Sequence, residues 1–236
     1  MFPSKSRPVF LSLLNARSVK NKSFLIKDFA VDNNIDILAI TETWLQADVS
    51  NQIAVNSICP TGFGFHHLPR MGSREGGVAL LYRNSFNLKK LSPDISCNSF
   101  EFTDCIIRHS STGLRMVVVY RPPPSKKNQL NVTMFLDEFG SFLEKIITTA
   151  RPLIIVGDFN FHLDNLDDRS AVRFQELLEA FNLVQHVSEP THKNGHTLDL
   201  VITRVGEESV RHVQVSDPVI SDHGAVHCET PLLDEA

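Results

Sequence analysis

Cysteine is scarce in this 236-residue chain: Cys59, Cys97, Cys105 and Cys228 are scattered, with no C-x-x-C pair among them. That spacing supports neither a disulfide framework nor a structural zinc site, and it fits a reducing compartment, cytosol or nucleus. Long hydrophobic runs are missing too. The longest apolar stretch near the start, Val9-Phe10-Leu11-Ser12-Leu13-Leu14, follows Lys5 and Arg7 but is too short for a signal-peptide core or a membrane span. A soluble protein with no membrane partner is expected. No repeat, low-complexity run or linker divides the sequence, so a single domain over residues 9–232 is expected, preceded by a flexible segment 1–8.

A strong charge of either sign is also lacking, the net value being −4. This balance looks wrong for a polyanionic partner, but the charge is segregated. Lys5, Arg7, Arg17, Lys20, Lys22 and Lys27 face only Asp28 in the first thirty residues, and Arg70, Arg74, Arg83, Lys89 and Lys90 face only Glu75 between 61 and 90. Residues 31–60 hold no Lys or Arg, and after residue 210 Arg211 stands alone against Asp217, Asp222, Glu229, Asp234 and Glu235. One basic face on an acidic body follows if the fold gathers the basic segments; ordinary solvated charge explains any one of them alone.

What the chain does have is apolar material, 42% of residues, arranged in two periodicities. Short branched runs at Val9–Asn15, Asp36–Thr43, Gly76–Tyr82, Phe100–Arg108, Arg115–Tyr120, Pro152–Val156, Thr197–Thr203, Val210–Val215 and Ala225–Glu229 predict strands. Helical spacing predicts helices over Ser18–Asn34, over Asn131–Thr149, where Phe135, Leu136, Phe139, Phe142, Leu143, Ile146 and Ile147 form one stripe, and near Ser170–Phe181. Arg121-Pro122-Pro123-Pro124 must leave the sheet, because proline has no N–H for a ladder. Continuous apolar strands beside amphipathic helices imply α/β sheets covered by helices.

Polar residues recur where the buried strands end, the usual place for working groups in α/β folds. Asn15, Glu42, Tyr120 and the Asp158/Asn160 pair end strands, Asp199 lies in a late strand, and Asp222-His223 precede the last one. This set suits phosphodiester hydrolysis, which needs a hard cation on carboxylate oxygen, donors for phosphoryl oxygens and a base for water. Glu42 fits a Mg²⁺ ligand, and His223 fits a base whose ring a neighbouring carboxylate such as Asp222 would orient. Each residue alone has a plainer reading: Glu42 or Asp199 as a cap or turn residue, Asp158 and left-handed Asn160 as turn formers, Tyr120 as a core aromatic, Asn15 as a helix cap, and Trp44 as core rather than a base-stacking platform. His192 and His196 mimic a zinc pair, but no third ligand is evident and they lie in a Gly-containing loop, so no zinc site is expected there.

In order, Leu-Asn-Ala-Arg-Ser (14–18), Thr-Glu-Thr-Trp-Leu (41–45), Gly-Gly-Val-Ala-Leu-Leu (76–81), Val-Tyr-Arg-Pro-Pro (119–123), Gly-Asp-Phe-Asn (157–160), Thr-Leu-Asp-Leu-Val-Ile-Thr (197–203) and Ser-Asp-His (221–223) resemble the endonuclease/exonuclease/phosphatase superfamily across residues 9–229. The flavour of these motifs is similar to LINE-type (non-LTR) retrotransposon endonucleases. Repair enzymes of the superfamily place an arginine and an aromatic around the acid matching Asp199, where this chain has Thr197 and Leu200. The resemblance implies a four-layered α/β sandwich: two mixed β-sheets face to face, helices outside, and a site at one edge.

It further implies that Glu42 is the principal metal ligand with Asn15 beside it, for Mg²⁺ or Mn²⁺. Asp222 and His223 would form an acid–imidazole pair at the phosphate, Tyr120 and Asn160 would contact phosphate, Asp158 would position or activate water, and Asp199 would orient His223 or support the metal site. The choice of base between Asp158 and His223 stays open. Thr191 and Ser221 match more softly as phosphate or supporting contacts, and Arg17, Arg121, Lys126 and Lys127 would flank double-stranded DNA. The implied activity is metal-dependent nicking that leaves a 3′-hydroxyl to prime reverse transcription, in the nucleus, by a domain whose partner is a reverse transcriptase further along the same polyprotein. The alternatives are an apurinic repair endonuclease or phosphatase of the same superfamily, and a catalytically silent DNA-binding derivative.

Overall fold

Branched apolar runs become strands here because both of their faces are covered. In a computed structural model that describes residues 8–46, 51–68, 75–109 and 112–231, the strands are β1 (Val9–Asn15), β2 (Ile37–Thr41), β3 (Phe63–Leu68), β4 (Val78–Arg83), β5 (Asn87–Leu91), β6 (Glu101–His109), β7 (Thr112–Tyr120), β8 (Leu153–Asp158), β9 (Leu183–Gln185), β10 (Asp199–Arg204), β11 (Arg211–Val215) and β12 (Val226–Thr230). The helices are α1 (Ser23–Asp32), α2 (Gln52–Ile58), α3 (Val132–Ile146) and α4 (Arg169–Ala180). One sheet runs β11-β12-β1-β2-β4-β3 and the other β5-β6-β7-β8-β10-β9. The segment expected to be flexible at the start lies, through residue 7, outside the described residues.

Alternation along each strand divides the core into three layers. Leu11, Leu13, Ala39, Leu80, Met116, Val118, Ile154, Val156 and Val201 meet between the sheets. Their neighbours point the other way: Leu38 and Ile40 pack with Ile26 and Ala30 of α1 and Ile58 of α2, while Val117, Val119 and Ile155 pack under the Phe135–Phe139–Phe142 stripe of α3 and Phe174 of α4. The result is the expected four-layered sandwich of two mixed sheets with helices outside. α3 begins where Asn131 caps it, its side chain accepting the Met134 N–H at 2.9 Å; α4 begins at Asp168, which accepts from Ser170 N–H at 2.8 Å.

The first helix starts later than its periodicity suggests. Arg17 and Ser18 take positive φ values of 42° and 81°, and the chain stays beside β2's extension: Ser18 N–H bonds the Glu42 carbonyl at 2.8 Å and Val19 N–H that of Thr43 at 3.0 Å. Residues 15–19 are therefore held to the loop after β2 and cannot wind. Helix α2 and strands β3, β5 and β9 carry no clear sequence signal. β5 is an edge strand of mixed exposure, and β3 contains Gly64, which faces Tyr82 across the ladder. There a Cβ would lie 2.7 Å from the Tyr82 ring, so the ring lies over the glycine.

The topology decides where the strand ends go. β1 is parallel to β2, so Asn15 and Glu42 finish together in one sheet, and β7 is parallel to β8, so Tyr120 and Asp158 finish together in the other; the Asn15–Asp158 hydrogen bond puts both pairs at one edge. β10 runs antiparallel to β8 with Asp199 opposite Asp158, and β12 antiparallel to β1. The start of β10 and the loop before β12 therefore join the same edge.

Candidate active site

Asn15 ties the two sheets together at that edge. Fully buried, it donates through Nδ2 to Glu42 Oε1 at 2.9 Å and to Asp158 Oδ2 on the opposite sheet at 2.8 Å. Its Oδ1 accepts the Arg17 N–H at 3.0 Å. Beyond β2, Glu42 and Trp44 have φ of 52° and 54°, a backbone state that costs free energy in a non-glycine residue and clusters at functional sites. The turn aims the Glu42 carboxylate into a cleft of about 680 Å³, lined also by Arg17, Trp44, Tyr120, Asn160, His192 and His223. Trp44 Nε1 donates to Glu42 Oε2 at 3.1 Å.

Asp158 is fully buried. The Asn160 N–H donates to its Oδ1 and the Asn160 Nδ2 to its Oδ2, both at 3.0 Å, and Asn160 takes the expected left-handed turn at φ 50°. Burial, then the neighbouring Asp199 and Glu42 anions, raise the Asp158 carboxyl well above the usual carboxylate range, against a lowering by His223. Asp199 Oδ2 lies 2.7 Å from His223 Nδ1. Burial pushes the His223 imidazole down, but Asp199, Asp158 and Asp222 together outweigh it and raise the value to about 9, so its imidazolium form is favoured at neutral pH. Thr191 and Ser221 brace this pair. Thr191 Oγ1 accepts from the N–H groups of Leu198 and Asp199, each at 3.0 Å, while Ser221 Oγ donates to the Asn15 carbonyl at 2.6 Å and accepts the His223 N–H at 3.0 Å.

Some expectations require correction. The carboxylate that orients His223 is Asp199, as the family resemblance implied, and not its sequence neighbour Asp222, to which the residue pattern alone pointed. His223 forms a β-bridge with His192, and in such extended chain adjacent side chains point to opposite sides. Asp222 instead binds Arg17 through Oδ2; burial raises its carboxyl, but the Arg17 charge and hydrogen bond hold it below the usual range. Arg121 does not flank a duplex. It is 2% exposed, donates to the Phe159 and Asn160 carbonyls at 2.9 and 3.0 Å, and lies over the Phe161 ring at 4.0 Å, while burial lowers its guanidinium to about 10. It shapes the Asp158–Asn160 turn.

Thr191 is also buried, with its hydroxyl on backbone donors rather than facing the cleft. Lys126 and Lys127 are exposed, and Lys127 lines the cleft. Of the other basic segment, Arg70 and Arg74 lie outside the described residues. Trp44, read as core, is half-buried beside Glu42; its place two residues after a strand-end acid was the available signal. His192, noted in sequence only for its spacing from His196, enters the cleft.

The donor set fits a hard divalent cation. Each Glu42 oxygen accepts one neutral N–H, which fixes the carboxylate yet leaves lone pairs on both oxygens. Asn15 touches Glu42 through its amide nitrogen, with its oxygen on Arg17 N–H. In this arrangement its amide nitrogen positions the Glu42 carboxylate, while its Oδ1, accepting one N–H, keeps a lone pair beside it.

The endonuclease domain of TRAS1, a telomere-specific non-LTR retrotransposon, superposes with a TM-score of 0.74 at 16% identity, over 96% of this chain and 100% of that one. An AP endonuclease from Leishmania major also gives 0.74, at 13% identity over 98% and 89%. A mannosyl-6-phosphatase from Bacteroides thetaiotaomicron gives 0.66, at 14% identity over 94% and 98%. No curated protein sequence matches the chain. The sequence itself matches the Endonuclease/Exonuclease/phosphatase family over residues 12–223, nearly the whole span from β1 to the His223 loop, and the chain therefore belongs to that family.

Proposed function

We propose that this chain is the nicking endonuclease of a non-LTR retrotransposon, cutting one strand of double-stranded DNA with Mg²⁺ or Mn²⁺. The observation that carries the reading is the Asn15 bridge, which ties a cation-competent Glu42 lining an open cleft to the buried Asp158 carboxylate of the opposite sheet. Glu42 would hold the ion, which supplies charge stabilisation to the phosphoryl and leaving oxygens when bound.

The chain's own groups do the rest. His223, protonated and fixed by Asp199, donates Nε2–H to a non-bridging phosphate oxygen. Asn160 and Tyr120 contact the same phosphate. Asp158, as its carboxylate, takes a proton from the attacking water as the water oxygen bonds to phosphorus; the P–O bond to the 3′ oxygen breaks, the 3′ oxygen takes a proton from solvent, and a 3′-hydroxyl and a 5′-phosphate remain. In a retrotransposon the 3′-hydroxyl primes reverse transcription, which places the work in the nucleus and a reverse transcriptase domain in the same polyprotein. Thr197 and Leu200 beside Asp199 favour this reading over abasic-site repair.

Incubation with supercoiled plasmid and Mg²⁺ tests it: nicked circles with extendable 3′-hydroxyl ends are expected, and none in excess EDTA. Nicking that persists in EDTA overturns the metal assignment. Cleavage confined to abasic duplex points to repair, and phosphate release from small monoesters alone to a phosphatase.

A further inference from the structure

His192, Asp222 and His223 each bring one ligand atom within 4.8 Å of the others, a grouping distinct from the Glu42 carboxylate. The ring of His192 meets that of His223 edge to face, centroids 4.9 Å apart, and its Nε2 lies 3.4 Å from Asp222 Oδ2. Two further features make this more than proximity. Asp222 Oδ1 is buried without a hydrogen-bond partner. His223 has Nδ1 committed to Asp199 at 2.7 Å, which leaves Nε2 as its free nitrogen in the carboxylate–histidine arrangement that orients metal-binding imidazoles.

We infer that His192, Asp222 and His223 form a second metal site, selective for Zn²⁺ or a similar borderline transition ion over Mg²⁺. Two imidazole nitrogens and one carboxylate oxygen match zinc's preference for mixed nitrogen and oxygen ligands, whereas Mg²⁺ demands oxygen and keeps its waters. The two ions would therefore sort themselves, Mg²⁺ to Glu42 and Zn²⁺ to the histidines. The short β-bridge between His192 and His223 and the Lys193 N–H bond to the Asp222 carbonyl at 2.9 Å fix the three residues relative to one another before any ion arrives. Zn²⁺ there takes the place of the proton on His223 Nε2, which is released to solvent, and since that is the atom assigned above to the phosphate, occupation inhibits any reaction that needs its N–H.

Binding is measured without DNA, so its failure is separate from failure of the nuclease reading. The full chain is titrated with ZnCl₂ by calorimetry in saturating Mg²⁺, and with Co²⁺ read by visible absorption. One Zn²⁺ per chain that Mg²⁺ does not displace is expected, with affinity at least about tenfold weaker in His192→Gln, retained in His192→Cys and unaffected by Glu42→Gln. Circular dichroism melts check that each variant is folded. Absence of Zn²⁺ binding overturns the site. So does equal binding by His192→Gln, and so does loss in Asp158→Asn with retention in His192→Gln, which would move the ion to the Asp158–Asp199–His223 group.

Discussion

Glu42 illustrates how much a single carboxylate depends on its donors. Its side chain lines a cleft rather than a core, so Glu42→Ala should lower nicking by about a thousandfold with little change in thermal stability; near-normal nicking by the folded variant would remove it from the site. Trp44 supplies a more direct readout, being the sole tryptophan of the chain and bonded to Glu42 Oε2. Adding Mg²⁺ should change its fluorescence, and Glu42→Gln should abolish that response. Trp44→Phe keeps the ring but deletes the N–H; metal affinity, measured by calorimetry, should then fall about tenfold. An unchanged affinity would mean that Asn15 alone orients the carboxylate.

At the scale of elements, the approach of β7 to β8 leaves no room at one position. A Cβ on Gly157 would lie 1.9 Å from the Val119 carbonyl oxygen, its ladder partner, one residue before Asp158. Gly157→Ala should therefore cost about 3 kcal/mol or more in urea denaturation, through overpacking against backbone that cannot yield. Gly140, inside α3, is the opposite case. Its added Cβ meets Leu177 Cδ1 at 3.7 Å, ordinary contact, so Gly140→Ala should stabilise by about 0.5–1 kcal/mol through helix propensity. Equal effects at the two sites would refute the packing argument. Both glycines stand out in the sequence, yet only the sheet and helix contacts separate them.

Across the whole molecule, the sandwich is held partly by polar contacts between its sheets. His66 of β3 bonds Thr103 of β6 at 2.9 Å, and burial, with Lys90 and His67 nearby, lowers its imidazole to about 4. A folded-state value below the ordinary 6.5 means that the unfolded chain binds more protons between the two values. Stability is therefore full above about 6.5 and falls as pH drops towards 4. Denaturation midpoints at pH 7.5 and 5 should show this loss, and His66→Gln should shrink it; coincident pH profiles would exonerate His66. The exposed Lys126 and Lys127 beside the cleft address how an acidic protein would hold DNA. Replacing both with Ala should weaken binding to all sequences and flatten the slope of log affinity on log salt by about 1 to 2, with nick positions unchanged. New nick positions at unchanged affinity would make the loop a reader of groove shape.

The strand runs and the phenylalanine stripe of α3 were legible because apolar periodicity records which faces are buried, and ordered motifs at strand ends revealed the family. Local pattern could also place Asn160 in a left-handed turn and Asn131 at a helix start. Edge strands such as β5 escaped notice because a half-exposed strand needs no continuous apolar run. Partnership was decided only by the tertiary structure. Asp199 as the partner of His223 was implied by the family resemblance alone; that Asp222 turns away to Arg17, that Arg121 is buried against the Phe159 and Asn160 carbonyls, and that Asn15 spans two sheets follow from strand direction and side-chain alternation between segments far apart in the chain, which no local sequence pattern encodes.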